Sequence, residues 1–343
     1  MKSKLFLLFF LTLSTIRAFS QNVDYLSELT PYHAQQSVSG TIRNWGNPYI
    51  PELMKAWQDG FRKHHPSVEF ETHMKGTEAA MAGLYSNIAD VVFVGREPYQ
   101  PEIRAFETWF GYKPTELKIT SGSYATQHKT FALMVYVHKD NPLAKLTLKQ
   151  LDAIYGVELR RGAKTPIRTW GQLGLSGTWA KRPIHVYGYN FDTGMAGFFR
   201  LTVLKDSYRW NPQMKDFDNG RTAKGEVINA GTYILNAVSK DPDAIGFANV
   251  LFENPGVKQL ALAEMDNGTY IEPTQENAWK RSYPLTRYST VFINRPPGSP
   301  VDPKVKEFLR YILSRDGMEA VVRDRAFLPL NAEVIRNELK ALE

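Results

Sequence analysis

From residue 37 onward, short runs with strand character alternate with stretches whose apolar residues recur every three or four positions. Residues 37–42 predict a strand. After the loop Asn44-Trp45-Gly46-Asn47-Pro48, Pro51 sits in the first turn of a segment with Leu53, Trp57 and Phe61 at four-residue spacing. That spacing is one face of a helix. Residues 68–72 read as a second strand, and Lys75-Gly76-Thr77 opens a helix carrying Met81, Leu84, Tyr85 and Ile88. A buried-type strand at 90–94 then gives way, through Gly95-Arg96-Glu97-Pro98, to a helix with Ile103, Phe106 and Phe110. Three strand–loop–helix units in succession predict a parallel sheet covered by helices.

The pattern repeats further on. Residues 131–138 form a continuous apolar run, and Thr147 can cap a helix with Leu148, Leu151, Ile154 and Tyr155 on one side. Residues 184–187 read as a strand that runs into Asn190-Phe191-Asp192-Thr193-Gly194, before Phe198, Phe199 and Leu201. A helix is expected over 222–238, strands at 244–248 and 290–294, and mostly helix from 301 to the end. In such sheets ligand loops lie where strands end and helices begin. This gathers four candidate loops: 43–48, 75–78, 95–98 and 190–195.

Each candidate loop ends at a helix start and carries small or hydroxyl residues. Unpaired N–H groups at helix starts, aided by the helix dipole, bind anions without catalytic groups. One exposed start contributes only ~0.3–1 kcal/mol, whereas micromolar binding needs roughly 8 kcal/mol, so several must converge on one dry cleft. Thr77 and Thr193 offer hydroxyl donors, and Arg96 offers a forked pair of charged donors. Other readings of the same residues stand beside these. The two threonines are good helix caps, Arg96 next to Glu97 suits a surface ion pair, and Gly95 and Gly194 suit tight turns.

The first residues add a location. Lys2 and Lys4 precede an apolar run at 5–13, and Ala18-Phe19-Ser20 offers small residues at the positions a signal peptidase reads. The run is too short for a stable membrane anchor, so residues 1–20 read as a cleaved export signal. The 343 residues contain no cysteine, which leaves an exported chain without disulfides and without a lipidation site. The formal charge of +7 includes Lys2, Lys4 and Arg17, so cleavage leaves about +4 and no Lys/Arg-rich run. Nucleic acid is therefore not expected as a partner. The length is about twice that of one domain, which predicts two lobes.

Enzyme signatures are absent from the sequence: no Gly-x-Ser-x-Gly elbow, no phosphate-binding Walker loop, no His-Glu-x-x-His and no dinucleotide fingerprint. His64-His65, just before Pro66, reads as an exposed helix end rather than a metal pair.

Nearly the whole chain then resembles, in order, the phosphate-type periplasmic binding proteins of ABC importers. Residues 148–199 carry most of the likeness: Leu148-x-x-Leu151-x-x-Ile154-Tyr155-Gly156, Trp170-Gly171-x-Leu173-Gly174, Arg182-Pro183-Ile184, Thr193-Gly194 and Phe198-Phe199. Lys75-Gly76-Thr77, Ala89-Asp90-Val91, Gly95-Arg96-Glu97, Ala244-Ile245-Gly246-Phe247 and Tyr283-Pro284-Leu285-Thr286-Arg287 add to it. The resemblance implies a two-lobed α/β type II fold, each lobe a mainly parallel sheet covered by helices. Lobe one is expected from 21–130 and 285–343, and lobe two from 131–284. It also implies an oxyanion held by the 43–48 loop with Asn44 and Trp45, by Gly76 and Thr77, and by Thr193 with Gly194. To these Gly95, Arg96 and Asp192 are added as ligand-binding candidates from their place in the loops. The expected partners are inorganic phosphate or a similar oxyanion and the membrane subunits of an importer, with the chain a monomer, periplasmic, and without cofactor, metal or catalytic residues.

Departures from the family pattern sharpen the expectations. The usual Ser-Asp pair falls at Gly95-Arg96, the third residue of Ser-Gly-Thr at Met195, and the usual arginine at Gly188 or Tyr189. Arg96 is then expected to be the ligand's main positive charge, with Glu97 or Asp192 accepting a ligand proton. Three rivals remain open: a sulfate- or molybdate-binding protein, a sensor or scaffold that has lost its ligand, and a secreted phosphatase.

Overall fold

A strand starts where a chain can bury alternate side chains on two faces, and residues 91–94 show it plainly. Val91 and Phe93 face one layer of helices while Val92 and Val94 face another. A computed structural model describes residues 24–126, 129 and 131–343. The expected export signal lies outside these residues.

In chain order the first part comprises β1 (Gly40–Gly46), α1 (Pro51–Arg62), β2 (Val68–His73), α2 (Thr77–Tyr85), β3 (Val91–Val94), α3 (Gln100–Phe110) and β4 (Thr115–Thr120). The middle comprises β5 (Met134–His138), β6 (Lys145–Thr147), α4 (Leu148–Tyr155), β7 (His185–Tyr189), α5 (Gly194–Thr202), β8 (Lys215–Phe217), β9 (Gly220–Arg221), β10 (Val227–Ile228) and α6 (Ala230–Val238). There follow β11 (Ala244–Ala248), β12 (Val257–Gln259), β13 (Ala261–Ala263) and α7 (Gln275–Trp279). The last part is β14 (Ser289–Ile293), α8 (Pro303–Ile312), α9 (Arg315–Asp324) and α10 (Ala332–Ala341).

Two five-stranded sheets result, ordered β2-β1-β3-β14-β4 and β12-β5-β11-β7-β8. In the first, β14 alone runs against its neighbours. In the second, β5 alone does so. Each reversed strand is the first to follow a passage from the other sheet, so the sheets are mainly parallel with one returning strand apiece. The fold is the expected two-lobed α/β arrangement. The two passages are tied together, Leu133 N–H donating to Leu285 O at 2.9 Å. Arg281 donates to the carbonyls of Thr286 and Arg287 at 2.9 and 2.8 Å.

The first sheet separates two cores. On one face Ile42, Phe93, Leu117 and Val291 meet Trp57 and Phe61 of α1 and Phe308 and Ile312 of α8. On the other, Val92, Val94 and Phe292 meet Met81 and Leu84 of α2 and Phe106 of α3. The second sheet has one larger core, in which Phe199 of α5 stacks on Phe247 of β11 at 3.9 Å. Each such buried ring contributes roughly 1.5–3 kcal/mol.

Three local expectations are corrected. The first strand begins at Gly40 and runs to Gly46, because Asn44 to Gly46 pair with β3 while Trp45 still pairs with His73 of β2. The helix expected over 222–238 starts only at Ala230, since Gly225 at φ +82 turns a short β9–β10 hairpin and Asn229 caps the helix. His65 is 1% exposed, and its ring lies 2.7 Å from the Tyr32 hydroxyl, which itself donates to buried Glu307 at 2.6 Å. Burial depresses the His65 pKa, so the ring is a neutral core group.

Candidate functional site

The C-terminal ends of β1, β2 and β3 are drawn together by short loops. Gly76 N–H donates to Gly46 O at 2.9 Å, and Asn47 N–H donates to Phe93 O at 2.9 Å. Gly76 adopts φ +115, ψ +165, a backbone region open essentially to glycine alone. From it α2 starts without a side-chain cap. Thr77 is the first helical residue rather than the cap. Its buried hydroxyl oxygen accepts the Gly95 N–H at 3.1 Å, joining two of the candidate loops. A Cβ at Gly95 would run into the amide end of the Asn47 side chain, so a larger residue here would displace Asn47.

Arg96 meets its neighbour Glu97 only at the backbone, where Nη1 donates to the carbonyl at 3.0 Å, and its ion pairs go elsewhere. Its fork donates to Glu102 at 2.9 and 2.8 Å and to Glu78 at 2.8 Å, and the guanidinium lies 3.7 Å over the Tyr99 ring. Burial would lower the Arg96 pKa, but the bonds to Glu102 and Glu78 outweigh it and raise the pKa. Arg96 holds Glu78 below the ordinary carboxylate value. In this structure the Arg96 donors expected for the ligand meet the carboxylates of Glu102 and Glu78.

In lobe two the hydroxyl of Thr193 is likewise engaged. It donates to Asn190 O at 2.8 Å and accepts the Ala196 N–H at 3.2 Å, capping α5. Asp192 is exposed, and its N–H donates to Asn190 Oδ1 at 3.1 Å. Tyr189, which with Gly188 was one of two positions expected for the usual arginine, is buried.

Contacts between the lobes gather at these same loops. A Cβ on Gly194 would lie 3.2 Å from Arg96 Cβ, so the Arg96 stem rests on the start of α5. The Tyr99 hydroxyl donates to Asp192 O at 3.2 Å. The structure thus brings together Gly76, Thr77, Gly95, Arg96, Asp192, Thr193 and Gly194. Asn44 and Trp45 stand apart. Asn44 is fully buried with its amide 3.8 Å from Met54 Sδ, and Trp45 packs against His73 and Gly83.

Sequence reasoning assigned no role to Arg287, whose side chain is 0% exposed. Its Nε and Nη2 donate to Glu97 at 3.1 and 2.6 Å, its Nη1 approaches Met195 Sδ at 3.4 Å, and Phe198 lies 5.0 Å beneath it. The one available signal was the Tyr283-Pro284-Leu285-Thr286-Arg287 stretch. Counting this pair, two arginines face three carboxylates: Glu78, Glu97 and Glu102. Lys118, Arg281 and Glu116 line the same cavity as Arg96, Glu97 and Arg287. Helix starts such as those of α2 and α5 offer backbone donors suited to an anion. Among the described residues no three His, Cys, Asp or Glu side chains are grouped to hold a metal.

Comparison with known proteins places this geometry. The sequence profile of the PBP superfamily domain matches residues 31–316. The phosphate-binding protein PstS of Pseudomonas aeruginosa strain PAO1 is 31% identical over 315 residues, 92% of this chain and 90% of that protein. The chain belongs to the phosphate-type periplasmic binding proteins of the PBP superfamily. A more distant relative in this family comparison is protein SphX of Synechococcus elongatus, 23% identical over 90% of this chain and 82% of its own. Among solved structures, PstS from Borrelia burgdorferi superposes with a TM-score of 0.56 at 14% identity, over 86% of this chain and 100% of that one. An ABC-type phosphate transport receptor from Vibrio cholerae gives 0.52 at 18% identity, over 84% and 99%. Both likenesses concern the fold. The resemblance read from the residues is thus borne out at the level of family and fold.

Proposed function

We propose that the chain is an exported binding protein that captures phosphate between its lobes and presents it to the membrane subunits of an ABC importer. Lobe one comprises residues 21–130 and 285–343, and lobe two residues 131–284. The protein acts as a periplasmic monomer, without cofactor and without covalent chemistry. The 31% identity to a phosphate-binding protein along 92% of the chain carries this reading. The convergence of the α2 and α5 starts on the Arg96 corner supports it. The anion rests on the first-turn N–H groups of Thr77 and of Gly194 and Met195, donors that helix geometry leaves outside the chain's own ladder. The Glu78 N–H is instead met by its own carboxylate. Closing the lobes removes water, which strengthens each of these bonds.

Calorimetry of the dialysed protein against phosphate, sulfate and molybdate tests the proposal. Saturable one-to-one binding that favours phosphate is expected. Preference for sulfate or molybdate would overturn the choice of ligand, and turnover of an aryl phosphate would overturn the non-catalytic reading. The occupied forks of Arg96 and Arg287 favour one rival, a sensor or scaffold of the same fold. Failure of every oxyanion to bind would select it.

A further inference from the structure

Arg287 lies in the second passage between the sheets, immediately before β14, and both sides of the cleft touch its guanidinium. Glu97, in the loop after β3, takes two of its donors fork to fork. Met195 and Phe198, on the first turns of α5, meet its remaining edge and its face. Arginine–carboxylate forks are the most directional ion pairs available to side chains. Separating this one in place would strand a fully buried charge. Glu97 is already 31% exposed beside a cavity of about 380 Å³, lined also by Lys118, Leu201, Thr202 and Tyr288, so moving α5 away would open the fully buried Arg287 to the same water.

We propose that Glu97, Arg287 and Met195 form a clasp on the passage side of the cleft, which favours the closed arrangement of the lobes and holds Arg287 away from the ligand. Glu97 is the positioning residue: it fixes the plane of the guanidinium so that the Nη1 edge and the apolar face meet α5. Arg287 then acts on binding through closure and not as the ligand's counter-ion. This rests on the binding-protein reading above, but part of its test needs no ligand.

The experiment compares wild type, Glu97→Gln and Met195→Leu by small-angle scattering without ligand and by calorimetry with phosphate. Glu97→Gln keeps the shape and removes the charge, and Met195→Leu keeps the packing and removes the sulfur. Thermal melts show which variants fold. With the clasp, Glu97→Gln enlarges the radius of gyration without ligand and weakens phosphate binding about tenfold, within the usual range for coupling between closure and affinity. Met195→Leu shifts both readouts the same way by a smaller factor, and this second variant decides the matter if Glu97→Gln does not fold. If Arg287 is instead the ligand's counter-ion, relieving it of Glu97 tightens phosphate binding. Tighter binding, or an unchanged radius and affinity in both variants, overturns the clasp. A wild type that binds no phosphate would sink the proposed function, while the ligand-free scattering still tests the clasp.

Discussion

Helix α2 in lobe one and helix α5 in lobe two both begin beside Arg96, yet their first turns are finished differently. Gly76 precedes α2 at φ +115 and gives it no side-chain cap, and the Thr77 hydroxyl is turned back to the Gly95 N–H. Thr193 precedes α5 in ordinary extended backbone and caps it with its own hydroxyl. One start depends on a backbone shape that only glycine adopts easily, the other on a side-chain hydrogen bond. Arg96 joins them, bonded to Glu78 in the first turn of α2 with its stem against Gly194. Damage to the two starts should therefore have different symptoms, which substitution can separate.

The largest effect is expected at the junction. Arg96→Ala leaves Glu102, whose side chain is 14% exposed, without its forked partner, and should cost about 3 kcal/mol of stability. In a double-mutant cycle by urea unfolding, Arg96→Ala and Glu102→Gln should be strongly non-additive. Additive losses would mean that Arg96 is held mainly by something else. Next comes the start of α2. Gly76→Ala forces a Cβ into a strained region and should cost ~1–3 kcal/mol, with phosphate binding weakened as the first-turn amides shift. An unchanged affinity would place the ligand away from α2.

At α5 the expectation is reversed. Thr193→Val removes the cap and should lower stability by about 1 kcal/mol while leaving phosphate affinity unchanged, because the hydroxyl is already committed to Asn190 O and Ala196 N–H. A clear loss of affinity in calorimetry would show that the hydroxyl reaches the ligand. The smallest effect lies behind the cleft, where Asp90 accepts from Arg43 N–H at 2.9 Å and from Arg43 Nη2 at 2.6 Å. Burial would raise the Asp90 pKa, but these bonds outweigh it and hold it below the ordinary value. A depressed carboxylate adds stability above its unfolded value of about 4, and this is lost as pH falls through the native value. Asp90→Asn should therefore cost about 0.5 kcal/mol near neutrality, and the gap to wild type should close as pH falls from the unfolded value of about 4 through the depressed native value. A gap that persists in acid would point to packing instead.

Much of this architecture was legible because periodicity reports burial directly. The four-residue spacing of Leu53, Trp57 and Phe61 and the apolar run through Val91 and Phe93 become α1 and β3 with core-facing sides. The partners of charged side chains were not legible. Adjacent side chains leave a strand-to-helix turn in different directions, so Arg96 bonds back to the first turns of α2 and α3. Glu97 meets Arg287, 190 residues away. No local pattern encodes that pairing. Asn44 and Trp45 were expected in a loop and lie in β1 for a related reason. A strand end is set by which neighbour it pairs with, and β1 continues to Gly46 because β3 lies beside it.

Amide hydrogen exchange with and without phosphate tests most directly whether one anion is held by helix starts from both lobes. Thr77 at the start of α2, and Gly194 and Met195 at the start of α5, should gain protection together at the phosphate concentration that saturates calorimetry. Protection confined to one of the two helices, or absent from both while binding is observed, would contradict the account.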